Sequence, residues 1–268
     1  MKTTINILFV IFFIASCYLF ISCDSTTEVA TEVSNTNFEA SESFYFSIPV
    51  DNKTMFTIAG INGTININGE ANADSVIING EKIVKSESIE DAQANLQNLN
   101  VVVRDLASGV TVETDQPDET GGRNFEVNYN VTLPNSFLVT AANVNGTVTV
   151  DSINNNVTAA NVNGQILLGD IVGSATVSLV NGQIVGKITL PLNGSINMGN
   201  VNGNVTLEIP TSTSAQFSAG LTNGNIIIDN LTLQNQISTP TSIVGTLGGG
   251  QGAISLATVN GNISAVGF

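Results

Sequence analysis

The sequence predicts an all-β chain, a parallel β-solenoid (β-helix) with a strand-rich N-terminal head and one short helix. Three observations carry that expectation. A unit of an apolar residue, Asn and Gly recurs through the second half of the chain. Each copy opens a stretch in which apolar and polar residues alternate, the period of a half-buried strand. The composition, 42% hydrophobic with 25 Gly and only 11% charged residues, supplies a large core but few groups for chemistry. The 268 residues include no His, so the commonest catalytic base and metal ligand is missing.

The net charge of -15 is unevenly spread. Of 22 acidic residues only Asp151, Asp170, Glu208 and Asp229 lie beyond residue 131, and after Arg123 the one basic side chain is Lys187. No stripe of Lys and Arg exists to neutralise phosphates, so nucleic acid is excluded as a partner.

Lys2 followed by the apolar run Ile5 to Ile21 reads as an export signal over residues 1–23. The alternative is a membrane-spanning helix, which needs about 20 apolar residues; Asn6 and Ser16-Cys17 shorten the run. Both cysteines close it, in Ile14-Ala15-Ser16-Cys17 and Phe20-Ile21-Ser22-Cys23, and each resembles the lipobox of bacterial lipoproteins. The first is the closer match. The second is followed at once by Asp24, Ser25, Thr26 and Thr27, whereas cutting at Cys17 leaves Tyr18 to Ile21 on the mature end. Lipidation is therefore expected at Cys23, with Cys17 as the alternate; the plainer reading is that small residues merely end the apolar run. The resemblance implies more than one acyl chain and a stable lipid anchor in a bacterial membrane, at the outer membrane or cell surface. With a cysteine so used, no disulfide framework is left. Residues 24–43, polar and acidic without sustained periodicity, are expected to be a flexible tether.

Residues 44–130 form the expected head. Phe44, Phe46, Ile48 and Val50 alternate with Tyr45, Ser47 and Pro49, and Phe56 and Ile58 continue the pattern. Val110 and Val112 are expected to oppose Phe125, Val127, Tyr129 and Val131 in an antiparallel hairpin across the polar loop 115–122. Ser88 and Asp91 resemble a capping box, and Ile89, Ala92, Leu96 and Leu99 share one helical face, which predicts a helix over 89–99.

Residues 131–268 hold the solenoid repeats. The unit stands at Val144-Asn145-Gly146, Val162-Asn163-Gly164, Val180-Asn181-Gly182, Val201-Asn202-Gly203, Thr222-Asn223-Gly224 and Val259-Asn260-Gly261, with an early copy at Ile61-Asn62-Gly63. From Gly146 the glycines are 18, 18, 21, 21 and 37 residues apart, and the last interval is expected to hold two turns, Val244-Gly245 being a degenerate copy. Val148 and Val150, Ile166 and Leu168, Val205 and Leu207, and Ile226 and Ile228 would point to one interior. Asn-Gly also favours hairpin turns, so a meander is the alternative. Strands recurring in one orientation are better met by parallel rungs stacked about 4.8 Å apart, with Asn on Asn at a corner.

The outward first places, Thr147, Gln165, Gln183, Asn204 and Asn225, with Asn262, form the candidate binding face, a polar array open to a glycan, to ice or to a surface protein. The plainer reading is that stacked amides only hold the coil together. Leu167, Val185 and Ile227 in the third places add apolar surface that calls for cover by the head or a partner. Asp151, Asp170, Lys187, Glu208 and Asp229 are expected to line a charged column, Lys187 pairing with Glu208. Glycan cleavage would need paired carboxylates, for which Asp151 and Asp170 are the nearest candidates, with no group to tune them; keeping the rod soluble is the plainer role. Glu113, Asp115, Asp118 and Glu119 offer oxygens to Ca²⁺, but their spacing matches no EF-hand loop. No catalytic residue, metal or cofactor is expected.

The recurring Val-Asn-Gly-x-β-x-β unit and the stretch Phe56-x-Ile58-x-Gly60-Ile61-Asn62-Gly63 make residues 44–268 resemble the DUF4097-like adhesin family and the related head GIN domain proteins. The resemblance implies a non-enzymatic surface lipoprotein that presents a β-solenoid for adhesion or cell-envelope interaction, and it supplies no catalytic motif. Two alternatives stay open. One is a periplasm-facing envelope-stress sensor or accessory domain; the other is a polysaccharide-active β-helix enzyme, which would need a cleft of clustered charges.

Overall fold

The computed structural model describes residues 37–268, so the export signal, both cysteines and most of the expected tether lie outside the described residues. Alternating side chains drive this part of the chain into 18 strands of one mostly parallel sheet that is not closed into a barrel. Strands β1 (Phe38–Pro49), β2 (Met55–Ala59), β3 (Ile65–Glu70) and β4 (Ser75–Ser86) precede helix α1 (Ile89–Leu96), and β5 (Asn100–Leu106), β6 (Gly109–Asp115) and β7 (Asn124–Pro134) follow it. Then come β8 (Leu138–Asp151), β9 (Val157–Val172), β10 (Ala175–Thr189), β11 (Ser195–Asn202), β12 (Val205–Ile209), β13 (Ala215–Asn223) and β14 (Ile226–Asp229). The last four are β15 (Leu233–Thr239), β16 (Ser242–Leu247), β17 (Gly252–Asn260) and β18 (Ile263–Gly267).

Two runs of hydrogen-bonded neighbours can be traced. One is β5, β6, β2, β8, β9, β10, β11, β17, β13, β16, β15. The other is β1, β4, β7, β3, β8, β9, β10, β12, β18, β14. The long strands β8, β9 and β10 belong to both, passing from one run to the other at their Asn-Gly. Inward residues of both runs merge in a single core that extends from Phe56, Tyr129 and Phe137 in the head through Val148, Ile166, Ile184 and Val205 to Ile263.

The head differs from expectation in two ways. Strand β1 starts at Phe38, inside the expected tether, because β4 pairs with it continuously from Phe38 opposite Ser86 to Pro49 opposite Ser75. The hairpin of β6 with β7 does not form: β6 lies between β5 and β2, and β7 between β4 and β3. Both strands still bury the expected alternate residues, which is why their pattern could not reveal their partners. Helix α1 forms where expected, ending at Leu96, and the Asp91 N–H donates to Ser88 Oγ at 3.1 Å.

The larger surprise is rung order. The last unit of the chain, β17 with β18, inserts between β11 with β12 and β13 with β14, all in parallel register. From the head outward the stacked asparagines are Asn62, Asn145, Asn163, Asn181, Asn202, Asn260 and Asn223. Residues 233–247 are not a turn of parallel coil, and Val244-Gly245 is no copy of the unit. They form the antiparallel pair β15 and β16, and β16 covers the edge of β13 left open by β17.

Candidate functional site

Each rung turns at its glycine, and the geometry there explains the recurring unit. Gly182 has φ +137°, and a Cβ on it would lie 1.6 Å from the carbonyl oxygen of Gly164. Only glycine fits a backbone approach this close, so the unit's glycine is fixed by stacking as well as by conformation. Beside it runs the amide ladder. Every Nδ2 donates toward the head: Asn223 to Asn260 Oδ1 (2.8 Å), Asn260 to Asn202 (2.8 Å), Asn202 to Asn181 (2.9 Å), Asn181 to Asn163 (2.9 Å), Asn163 to Asn145 (2.8 Å) and Asn145 to Asn62 (2.7 Å). Asn62 Nδ2 ends the series on the Phe125 carbonyl at 2.9 Å.

A second, buried set of polar residues was missed by sequence reasoning. Asn143, Asn161, Asn200 and Thr258 stand two places before the ladder asparagines, on the inward side, and none exceeds 4% exposure. Their side chains donate to the turn carbonyl of the rung nearer the head: Asn143 to Gly63 (2.9 Å), Asn161 to Gly146 (2.7 Å), Asn200 to Gly182 (2.8 Å) and Thr258 to Gly203 (2.9 Å). Buried carbonyls need such partners. The signal was present in Asn-Val-Asn-Gly at 143–146, 161–164 and 200–203, where a polar residue takes an inward place.

Of the expected binding face, Thr147, Gln165 and Gln183 are stacked in register on adjacent rungs. Among the described residues their side chains have no hydrogen-bond partner, so their donors and acceptors are free for a ligand. Asn204 and Asn225 are not neighbours, because Asn262 stands between them. Asn262 N–H donates to Asn204 Oδ1 at 2.9 Å, and Asn225 N–H to Asn262 Oδ1 at 3.0 Å. Toward the far end the polar column therefore holds rungs together, while nearer the head it is uncommitted. Two places on, Leu167 and Val185 are half-buried beside Thr149 and Thr206, and Ile227 at the far edge is 55% exposed. The same face continues over the head into a shallow depression lined by Asn66, Asn68, Asn130, Thr132, Thr149 and Asp151, which sequence reasoning did not single out although Ile65-Asn66-Ile67-Asn68 alternates plainly.

The charged column pairs differently from expectation. Lys187 Nζ lies 2.6 Å from Asp170 Oδ1, not on Glu208, although Lys187 and Glu208 share a register. Asp170 adopts φ +45° at an irregularity between β9 and β10, and this swings its carboxylate toward Lys187. In the head, Glu113, one of the candidate Ca²⁺ ligands, is bound by Arg104 at 2.7 Å. Arg123 holds Asp91 with two contacts, Nε at 2.6 Å and a terminal nitrogen at 2.7 Å, and Ser86 Oγ donates to the same carboxylate. The guanidinium, then the hydroxyl, hold the Asp91 carboxyl down at about 2. Among the described residues no three His, Cys, Asp or Glu side chains group as a metal site would require, and no helix is long and apolar enough to cross a membrane.

No family model and no curated protein matches the chain. Among solved structures it is similar to a candidate cell adhesion protein from Clostridium sporogenes, with 14% identity and a TM-score of 0.48, over 85% of this chain and 100% of that one. It is also similar to a candidate adhesin from Bacteroides fragilis, at 12% identity and TM-score 0.26 over 85% and 97% of the two chains. A candidate adhesin from Parabacteroides merdae is matched at 15% identity and TM-score 0.24, over 84% and 96%.

Proposed function

We propose that this chain is a non-enzymatic envelope lipoprotein, anchored through Cys23, whose parallel rungs wind as a β-solenoid of the DUF4097-like adhesin kind and present one outer face for adhesion. The observation that carries this reading is the free polar trio Thr147, Gln165 and Gln183 standing beside half-buried Leu167 and Val185 on successive rungs. Amides that can donate and accept, set next to apolar side chains on a regular strand surface, suit the hydroxyls and C–H faces of a glycan or the edge of a surface protein. Contact spread over repeated rungs gives many weak interactions, which is what adhesion under multivalent display uses.

Protease treatment of intact cells, with lysed cells as control, tests the placement. Loss of the chain on intact cells is expected. Protection until lysis would overturn surface adhesion and favour the envelope-stress sensor. Replacing Gln165 and Gln183 together by Ala should weaken attachment to glycan or host-matrix surfaces while leaving the circular dichroism spectrum unchanged; undiminished attachment would remove this face from the reading. Labelling with a radioactive fatty acid should be lost in Cys23→Ala and kept in Cys17→Ala.

A further inference from the structure

We propose that Asn223-Gly224, at the open end of the amide ladder, is a site of spontaneous isoaspartate formation, and that stacking protects the same dipeptide in the other six rungs. Asn-Gly is intrinsically prone to this reaction because glycine leaves its own nitrogen unhindered. The deprotonated Gly224 nitrogen attacks Asn223 Cγ; the new N–Cγ bond forms as the Cγ–Nδ2 bond breaks, and the amide nitrogen leaves as ammonia with the proton. Water then opens the cyclic imide at either carbonyl, giving Asp or isoaspartate at 223. No oxidant or reductant is involved.

Three features single out this rung. Each glycine nearer the head in the stack uses its N–H within it: Gly63 donates to Asn145 O (3.0 Å), Gly203 to Asn260 O (2.7 Å) and Gly261 to Asn223 O (2.9 Å), while Gly146, Gly164 and Gly182 lie inside the ladders of β8, β9 and β10. Gly224 has no rung beyond it, and among the described residues its N–H has no acceptor. The other ladder asparagines are held on both sides, donating through Nδ2 and accepting at Oδ1; Asn223 only donates. Finally, Gly224 is exposed where the other six glycines are half-buried. The exposed turn at Asn193-Gly194 lacks this freedom, since Gly194 N–H donates to the Pro191 carbonyl at 3.0 Å. A carboxylate at 223 cannot donate to Asn260 Oδ1, so the reaction would also undo the last bond of the ladder.

The test is to incubate the folded protein at mildly alkaline pH and digest timed samples with pepsin at low pH. Conversion is then read at each Asn-Gly by peptide mass and by isoaspartyl methyltransferase labelling. The chain unfolded in urea provides the reference in which all seven rung sites should react at similar rates. In the folded protein Asn223 should convert at least about tenfold faster than any of the other six, the factor expected if each of those must first lose about one net hydrogen bond. Asn223→Gln should abolish the early isoaspartate signal. Conversion at Asn223 no faster than at the inner rungs, or none at all in folded protein while the unfolded chain reacts, would overturn the proposal.

Discussion

Replacing Gly182 by Ala should test whether the turn glycines are fixed by stacking or only by their backbone angle. The new Cβ would sit 1.6 Å from Gly164 O, whereas ordinary contact needs about 3.5 Å. Relief requires a shift of roughly 2 Å, a large part of the ~4.8 Å between rungs. Two ladder bonds, Asn181 to Asn163 and Asn202 to Asn181, each 2.9 Å, would be broken or badly stretched. At about 1 kcal/mol net apiece, with about 1–2 kcal/mol for Ala at positive φ, the loss comes to about 3–4 kcal/mol. Gly122 is the internal control. Its φ is +79°, but nothing lies within 4 Å of an added Cβ, so Gly122→Ala should cost only the conformational part, about 1–2 kcal/mol. Urea titrations of both variants, compared at a common slope, give the two numbers. If Gly182→Ala proves no more destabilising than Gly122→Ala, the stacking explanation of the repeat is wrong.

Other outcomes follow from the interior and the head. Asn161→Ala should cost about 1–3 kcal/mol by leaving the half-buried Gly146 carbonyl without the donor that buried Asn161 supplies, measured by the same titration; a neutral result would mean the carbonyl finds another partner. Burial pushes the Tyr129 phenol up to about 12, against the opposing bond with Thr114 Oγ1 at 2.7 Å. The fold thus keeps a proton that the unfolded chain releases near 10.0, so this contribution is complete below pH 10 and is lost as pH rises toward 12. Tyrosinate absorbance should show a late-titrating phenol in the native chain that Tyr129→Phe removes. Asp91 behaves oppositely: its carboxyl is lowered from 3.8 to about 2, so the stability linked to it is present above the ordinary value and disappears as pH falls through that window. Melting temperatures recorded down to pH 2 should therefore fall less steeply in Arg123→Leu than in the parent chain.

Much of the architecture lies in local sequence because strand alternation and close backbone packing act over a few residues. Val144-Asn145-Gly146 and its copies specify a strand, a corner amide and a glycine turn, and the capping pair Ser88 and Asp91 specifies where α1 starts. The outward place of Thr147, Gln165 and Gln183 follows from the same parity. Partner choice does not. The pattern of β6 and β7 names the side chains to bury, yet it fits an antiparallel hairpin as well as the observed pairings with β5, β2, β4 and β3. In the same way each Asn-Gly rung can stack on any other, so nothing local tells β17 and β18 to enter between β11 with β12 and β13 with β14. That order, the antiparallel pair that replaces the expected turn at Val244-Gly245, and the partner of Lys187 are decided only when edges compete for strands across the whole chain, because a strand's hydrogen-bonding groups are the same whatever its sequence.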